Sequence, residues 1–146
     1  MNNISNIKAL IDDYIKDNIE IEVLCTCSSS NIDFNDMSLS FNQLLFKYID
    51  DKHLNEVDIY KKAYIDRKLF SKIRSNINYR PKKKTVVQLI FGLKLNIEEA
   101  NELLNSAGYY LSHSLKSDLI VEWFIINNNY DLDLLFDCLY EYNEKI

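Results

Sequence analysis

The sequence predicts an all-α fold, a compact bundle of about seven helices, on three observations. The first is a scarcity of turn-formers, with two Gly and one Pro in 146 residues. All-β sandwiches and barrels need more turn residues than that, and Rossmann or P-loop folds need glycine-rich turns that are absent here. The second is spacing: apolar residues recur three and four apart in one segment after another, the period of a helix with one buried face. The third is punctuation. Several of these segments follow a Ser, Asn or Asp, whose side chain can accept a hydrogen bond from the free N–H groups of a first turn.

In chain order, residues 3–17 place Ile4, Ile7, Leu10, Ile11, Tyr14 and Ile15 at helical spacing, with Ser5, Lys8, Asp12, Asp13 and Lys16 between them. This predicts a short amphipathic helix that docks on the rest of the chain or on a second copy. Residues 18–24 alternate and read either as a brief strand or as a helical continuation. Residues 25–39 read as a polar linker and the one domain boundary. From Ser40 the pattern is regular. Ser40 caps a helix with Phe41, Leu44, Leu45, Tyr48 and Ile49 inward. Asn55 caps a second, with Val57, Ile59, Tyr60 and Ala63 inward, and Asp66 a third, with Leu69, Phe70 and Ile73. Residues 83–93 form the next, after the helix-compatible Pro81. Asn96 caps another, where Glu98 and Glu99 complement the positive helix start and Gly108 stands where a C′ glycine closes the end. Segments 115–126 and 132–142, around Trp123, complete the bundle. The organisation expected is thus a helix and linker at 1–39, a helix-turn-helix domain at 40–108, and a helical extension at 109–146 on the same core.

Composition also narrows the function. No apolar run approaches the roughly 18–20 residues that cross a bilayer, so no membrane partner is expected. Residues 1–5 lack the basic and apolar regions of a signal peptide, and the expected compartment is the cytoplasm. Cys25, Cys27 and Cys138 have no zinc-ligand spacing, and His53 and His113 complete no metal or catalytic pattern. No paired acids, nucleophile elbow or phosphate loop is legible. Neither an enzyme nor a cofactor is expected, and Ser112-His113-Ser114 reads as a structural loop.

Charge is the most informative feature. Eleven of the 17 Lys and Arg lie between Lys61 and Lys94, where Asp66 is the only acid. That span carries +10 and the rest of the chain −15, although the net charge is −5. A chain divided in this way presents a basic surface to nucleic acid or an acidic protein, unless the two halves satisfy each other.

The basic span begins with a specific pattern. A short helix, a tight turn at Tyr64-Ile65-Asp66 and a second helix make a helix-turn-helix, with Ala63 where the two helices cross and Ile65 as the plug of the turn. Residues 40–107 resemble the phage-repressor (Cro/C1-like, XRE-type) helix-turn-helix family, which implies a lambda-repressor-like core. A narrower resemblance rests on the run 59–76 (IYKKAYIDRKLFSKIRSN), on Tyr79-Arg80-Pro81, Lys83-Lys84-Thr85 and the run 93–99 (LKLNIEE), and on Ala107-Gly108-Tyr109 and Leu111-Ser112-His113-Ser114. Together these are similar to a bacterial module found alone or behind a macro domain. No macro domain is legible in this sequence, and ADP-ribose chemistry is not carried over.

On this frame helix 66–75 is the expected recognition helix, with double-stranded DNA as the favoured partner. Arg67, Lys68, Ser71 and Lys72 face outward. Arg67 and Lys68 suit guanine edges or phosphate, and Ser71 a base or the backbone. Lys72, Arg74, Arg80, Lys82, Lys83 and Lys84 would hold phosphates, the last two where helix-start amides also favour an anion. The expected function is transcriptional regulation, as a homodimer if half-sites are read in pairs. The alternative is a non-catalytic protein adaptor or inhibitor, linked to mobile elements or phage defence. It would use the same frame or the aromatic residues Tyr109, Tyr110, Trp123, Phe124 and Tyr130, for which core packing is the competing role. Leu69, where a DNA reader often has a polar residue, would meet a thymine methyl or a protein. Asp131, Asp133, Asp137, Glu141 and Glu144 read as the solvated side of the last helix, or as a mimic of DNA phosphates.

Overall fold

A computed structural model describing residues 3–19 and 39–146 contains eight α-helices, and no strand among those residues. They are α1 (Asn3–Asn18), α2 (Phe41–Asp51), α3 (Glu56–Lys62), α4 (Arg67–Ser75), α5 (Lys83–Leu93), α6 (Ile97–Ser106), α7 (Lys116–Ile126) and α8 (Leu132–Glu141). None is long and apolar enough to cross a membrane. The alternating stretch lies outside the described residues apart from Asn18 and Ile19, as does the polar linker with Cys25 and Cys27 apart from Leu39.

The starts of these helices are built as the cap residues require. Ser40 and Gln43 form a reciprocal capping box on α2, and Asn96 and Glu99 another on α6. Asn55, Asp66 and Asp131 accept from the amides of Val57, Lys68 and Leu134 at 2.8, 3.0 and 3.1 Å. Only α5 and α7, which follow Lys82 and Leu115, lack a side-chain cap among the starts from α2 onward.

The ends follow one rule that glycine content did not reveal. In α2, α3, α5, α6, α7 and α8 an amide beyond the helix donates to the carbonyl five residues earlier: Leu54 to Ile49, Ile65 to Tyr60, Leu95 to Ile90, Tyr109 to Leu104, Asn129 to Phe124 and Glu144 to Leu139. The residue before each donor is left-handed, and only Gly108 among the six is a glycine; the others are His53, Tyr64, Lys94, Asn128 and Asn143. A left-handed side-chain-bearing residue costs about 1–2 kcal/mol, less for Asn, whose amide bonds locally.

One hydrophobic core runs through all eight helices. α5 and α7 lie at its centre and are buried on nearly every side, which is why neither shows a strong polar face. α3 crosses α5 where a Cβ on Gly92 would stand 2.9 Å from the carbonyl oxygen of Ile59 and 3.0 Å from the Cβ of Ala63. The small residue at 63 therefore also serves the close approach of α5. α1 docks on α7 and α8 with Ile11 and Ile15 buried, whereas Leu10 turns outward at 55% exposure. Val57, expected inward, is exposed as well, because the short α3 buries only Ile59 and the Ala63 that follows it.

Six tyrosine hydroxyls tie the bundle across long stretches of chain. Tyr14 donates to Glu122, joining α1 to α7, and Tyr48 to Glu102 at 2.6 Å, joining α2 to α6. Tyr64 donates to Asp133 at 3.0 Å and so ties the turn before α4 to α8. Tyr109 and Tyr130 donate to the carbonyls of Pro81 and Leu95 at 2.9 and 2.7 Å. Tyr142, just past α8, reaches the carbonyl of Lys8 at 3.1 Å and the carboxylate of Asp12 in α1. Burial, reinforced by the carboxylate acceptors, pushes the phenols of Tyr14, Tyr48 and Tyr142 well above their ordinary value of 10. The bond to Asp133 raises Tyr64, and burial raises Tyr130.

Candidate nucleic-acid interface

The site is built on α4 because its sequence divides cleanly between two faces. Phe70 and Ile73 are buried and Leu69 half-buried against the core, so Leu69 serves packing. Phe70 meets the rings of Phe46 and Tyr60 at centroid distances of 5.8 and 5.6 Å. On the opposite face Arg67, Lys68, Ser71 and Lys72 are exposed, and together with Ser75 they line a shallow depression of about 430 Å³. Ser75 belongs to this row because it sits one turn beyond Ser71.

The ends of α4 are held from outside. At its start, Ile65 is buried beneath the turn and Asp66 accepts from Lys68 N–H, so the single acid of the basic span is consumed as a cap. At its finish there is no left-handed closure: Asn76 is extended. Instead the side-chain amide of Asn42, in α2, donates to the carbonyl of Ile73 and, at 3.2 Å, to that of Arg74.

The other sequence-predicted contacts divide into two groups. Arg80, Lys82 and Lys84 are exposed outside α4, with the Lys84 ammonium 5.1 Å from the ring centre of Phe136. Arg74 and Lys83, expected to hold phosphates, are already engaged. Arg74 pairs with Glu56 and lies over the Phe70 ring at 5.7 Å. Lys83 turns inward to Asp118 at 2.6 Å, and the other oxygen of this 1%-exposed carboxylate accepts from the amide of Ser112 at 2.8 Å. An acid inside the apolar run 115–126 was the signal for such a buried partner, since desolvating a lone carboxylate is costly. Apart from Arg74 and Lys83, no base between Lys61 and Lys94 lies within 4.0 Å of an acid among the described residues.

His113 does meet a carboxylate, that of Glu122 at 3.0 Å, in a group that also receives the Tyr14 hydroxyl. This cluster ties α1 to the loop before α7. Cys138 is buried, and burial pushes its thiol up to about 11, leaving little thiolate at neutral pH. Of the five aromatics weighed as a protein-binding surface, Trp123 and Phe124 are in the core, and Tyr109 and Tyr130 are half-buried with bonded hydroxyls. Tyr110 alone faces outward, at 68% exposure.

No family model, no curated protein and no solved structure matches this chain.

Proposed function

We propose that the chain is a helix-turn-helix DNA-binding protein of the phage-repressor type, a transcriptional regulator that lays α4 in the major groove. One observation carries the reading: the outward row of α4, Arg67, Lys68, Ser71 and Lys72, holds three cations with no acid within ion-pairing distance among the described residues. Side chains that contribute nothing to the frame yet concentrate positive charge on one short helix fit a polyanion outside it. Arg67 and Lys68, at the amino end of α4, are the base readers in this scheme, and Lys72, Arg80, Lys82 and Lys84 the phosphate holders. No catalytic step is assigned. Two copies would read half-sites about one helical turn apart.

The test is a fluorescence-polarisation titration against a random duplex pool at about 50 and about 200 mM salt, across which a protein making six or more phosphate contacts loses about a thousandfold in affinity. The double variant Arg67→Ala, Lys68→Ala is expected to abolish binding while its unfolding free energy stays within about 0.5 kcal/mol of the wild type. Unchanged binding by that variant would remove α4 from the reading role. Absence of binding at low salt would favour the second reading, a protein-binding adaptor, for which the exposed apolar side chains of Leu54 and Val57 beside the start of α3 are the supporting observation.

A further inference from the structure

We propose that Asn42 is a positioning residue that sets the angle at which α4 presents Arg67, Lys68, Ser71 and Lys72; this rests on the reading of α4 as the DNA-facing helix. Six helices of this bundle close on their own backbone through a left-handed residue, whereas α4 does not. The carbonyl of Lys72 takes the amide of Asn76, whereas those of Ile73 and Arg74 accept from no backbone amide. The amide of Asn78, which a continuing helix would send to Arg74, goes instead to the side chain of Asn76 at 3.0 Å. The two donors on the Asn42 side-chain nitrogen fill the vacancy, one on Ile73 and one on Arg74.

The mount that carries Asn42 is rigid. It is the second residue of α2, between the capping box of Ser40 and Gln43 and the buried Phe41, Leu44 and Leu45. The other end of α4 is fixed separately, by the closed turn at Tyr64 and Ile65 and by the Tyr64 hydroxyl on Asp133. Two fixed points at opposite ends of a helix about 13 Å long define its direction. Releasing the far one lets α4 pivot about its start, which displaces Lys72 and Ser75 more than Arg67.

The experiment compares wild type, Asn42→Ala, Asn42→Asp and Asn42→Gln in the duplex titration, at a temperature where circular dichroism finds each fully folded. Asn42→Asp keeps the shape and removes the donors, and Asn42→Ala removes them without adding charge. Both are expected to bind about tenfold more weakly, with a salt slope lower by about one phosphate contact. Asn42→Gln, which keeps the donors on a longer stem, should recover part of the loss. Asn96→Ala, which weakens α6 through its cap, serves as the control for stability alone and should leave the affinity of the folded protein unchanged. Wild-type affinity and slope in Asn42→Ala overturn the proposal, as does an equal loss in Asn96→Ala. If wild type itself binds no duplex, the reading of α4 falls first, and the assignment of Asn42 falls with it.

Discussion

The acids and the bases of this chain are put to opposite uses. Outside the basic span, seven carboxylates are built into the frame: Glu122, Glu102, Asp133 and Asp12 receive tyrosine hydroxyls, Asp131 and Glu99 secure helix starts, and Asp118 is buried. Inside it, only Arg74 and Lys83 of eleven bases engage an acid among the described residues. The difference bears on the alternative in which the two halves of the charge neutralise each other. Glu102, Asp133, Asp12 and Asp131 take neutral donors rather than bases of the span, and the cations of α3, α4 and the loop after it that meet no acid among the described residues face outward.

Alkaline titration is the largest expected break in this contrast. Tyr14, Tyr48, Tyr64, Tyr130 and Tyr142 all hold their protons more tightly when folded than at the ordinary value of 10. A group raised on folding contributes its full stability below its unfolded value and loses it as pH climbs through the interval up to the folded one. Thermal midpoints are therefore expected to hold steady to about pH 9 and to fall steeply above pH 10. Tyr14→Phe and Tyr142→Phe should each flatten that fall. A midpoint that stays level through about pH 11 would mean that the phenols do not hold the frame.

Next in size is the one base drawn fully into the frame. Asp118→Ala strands the Lys83 ammonium and the Ser112 amide, and is expected to cost about 3 kcal/mol in urea unfolding. Lys83→Met in the same chain should restore much of it, because replacing both members of a buried pair is far milder than removing one. A loss below about 1 kcal/mol would class the pair with ordinary surface contacts. The smallest effect is expected on the outward side: Lys61→Ala, Lys72→Ala and Arg80→Ala should each change stability by less than about 0.5 kcal/mol. A larger loss from any of them would show that base to be part of the frame.

Much of this architecture was legible in the sequence because it is local. Ser40, Asn55, Asp66 and Asn96 cap the helices they precede, and Phe70 with Ile73 faces inward at helical spacing. What escaped depends on residues far apart in the chain. Nothing in the residues around Tyr142 announces Asp12, nor does Tyr48 announce Glu102, since such pairs form only when two helices are laid side by side. The role of Gly92 is illegible for a related reason: a glycine inside a helix takes its meaning from what crosses it, here α3. The outward row of α4 was readable from spacing alone, whereas the engagement of Lys83 and Arg74 and the support from Asn42 required the neighbouring helices.

The left-handed helix ends also affect the unfolded chain. Each of the five side-chain-bearing residues in that conformation makes the native backbone slightly worse than a glycine would. A glycine at the same place would roam far more widely once the protein unfolds, and that freedom would have to be surrendered on refolding. Replacing His53 or Lys94 by Gly therefore trades relief of strain against a more disordered denatured ensemble, with nearly balanced terms of about 1 kcal/mol each. A bundle with two glycines in its whole length thus gains from the stiffness of its unfolded state part of what its helix ends lose in the folded one.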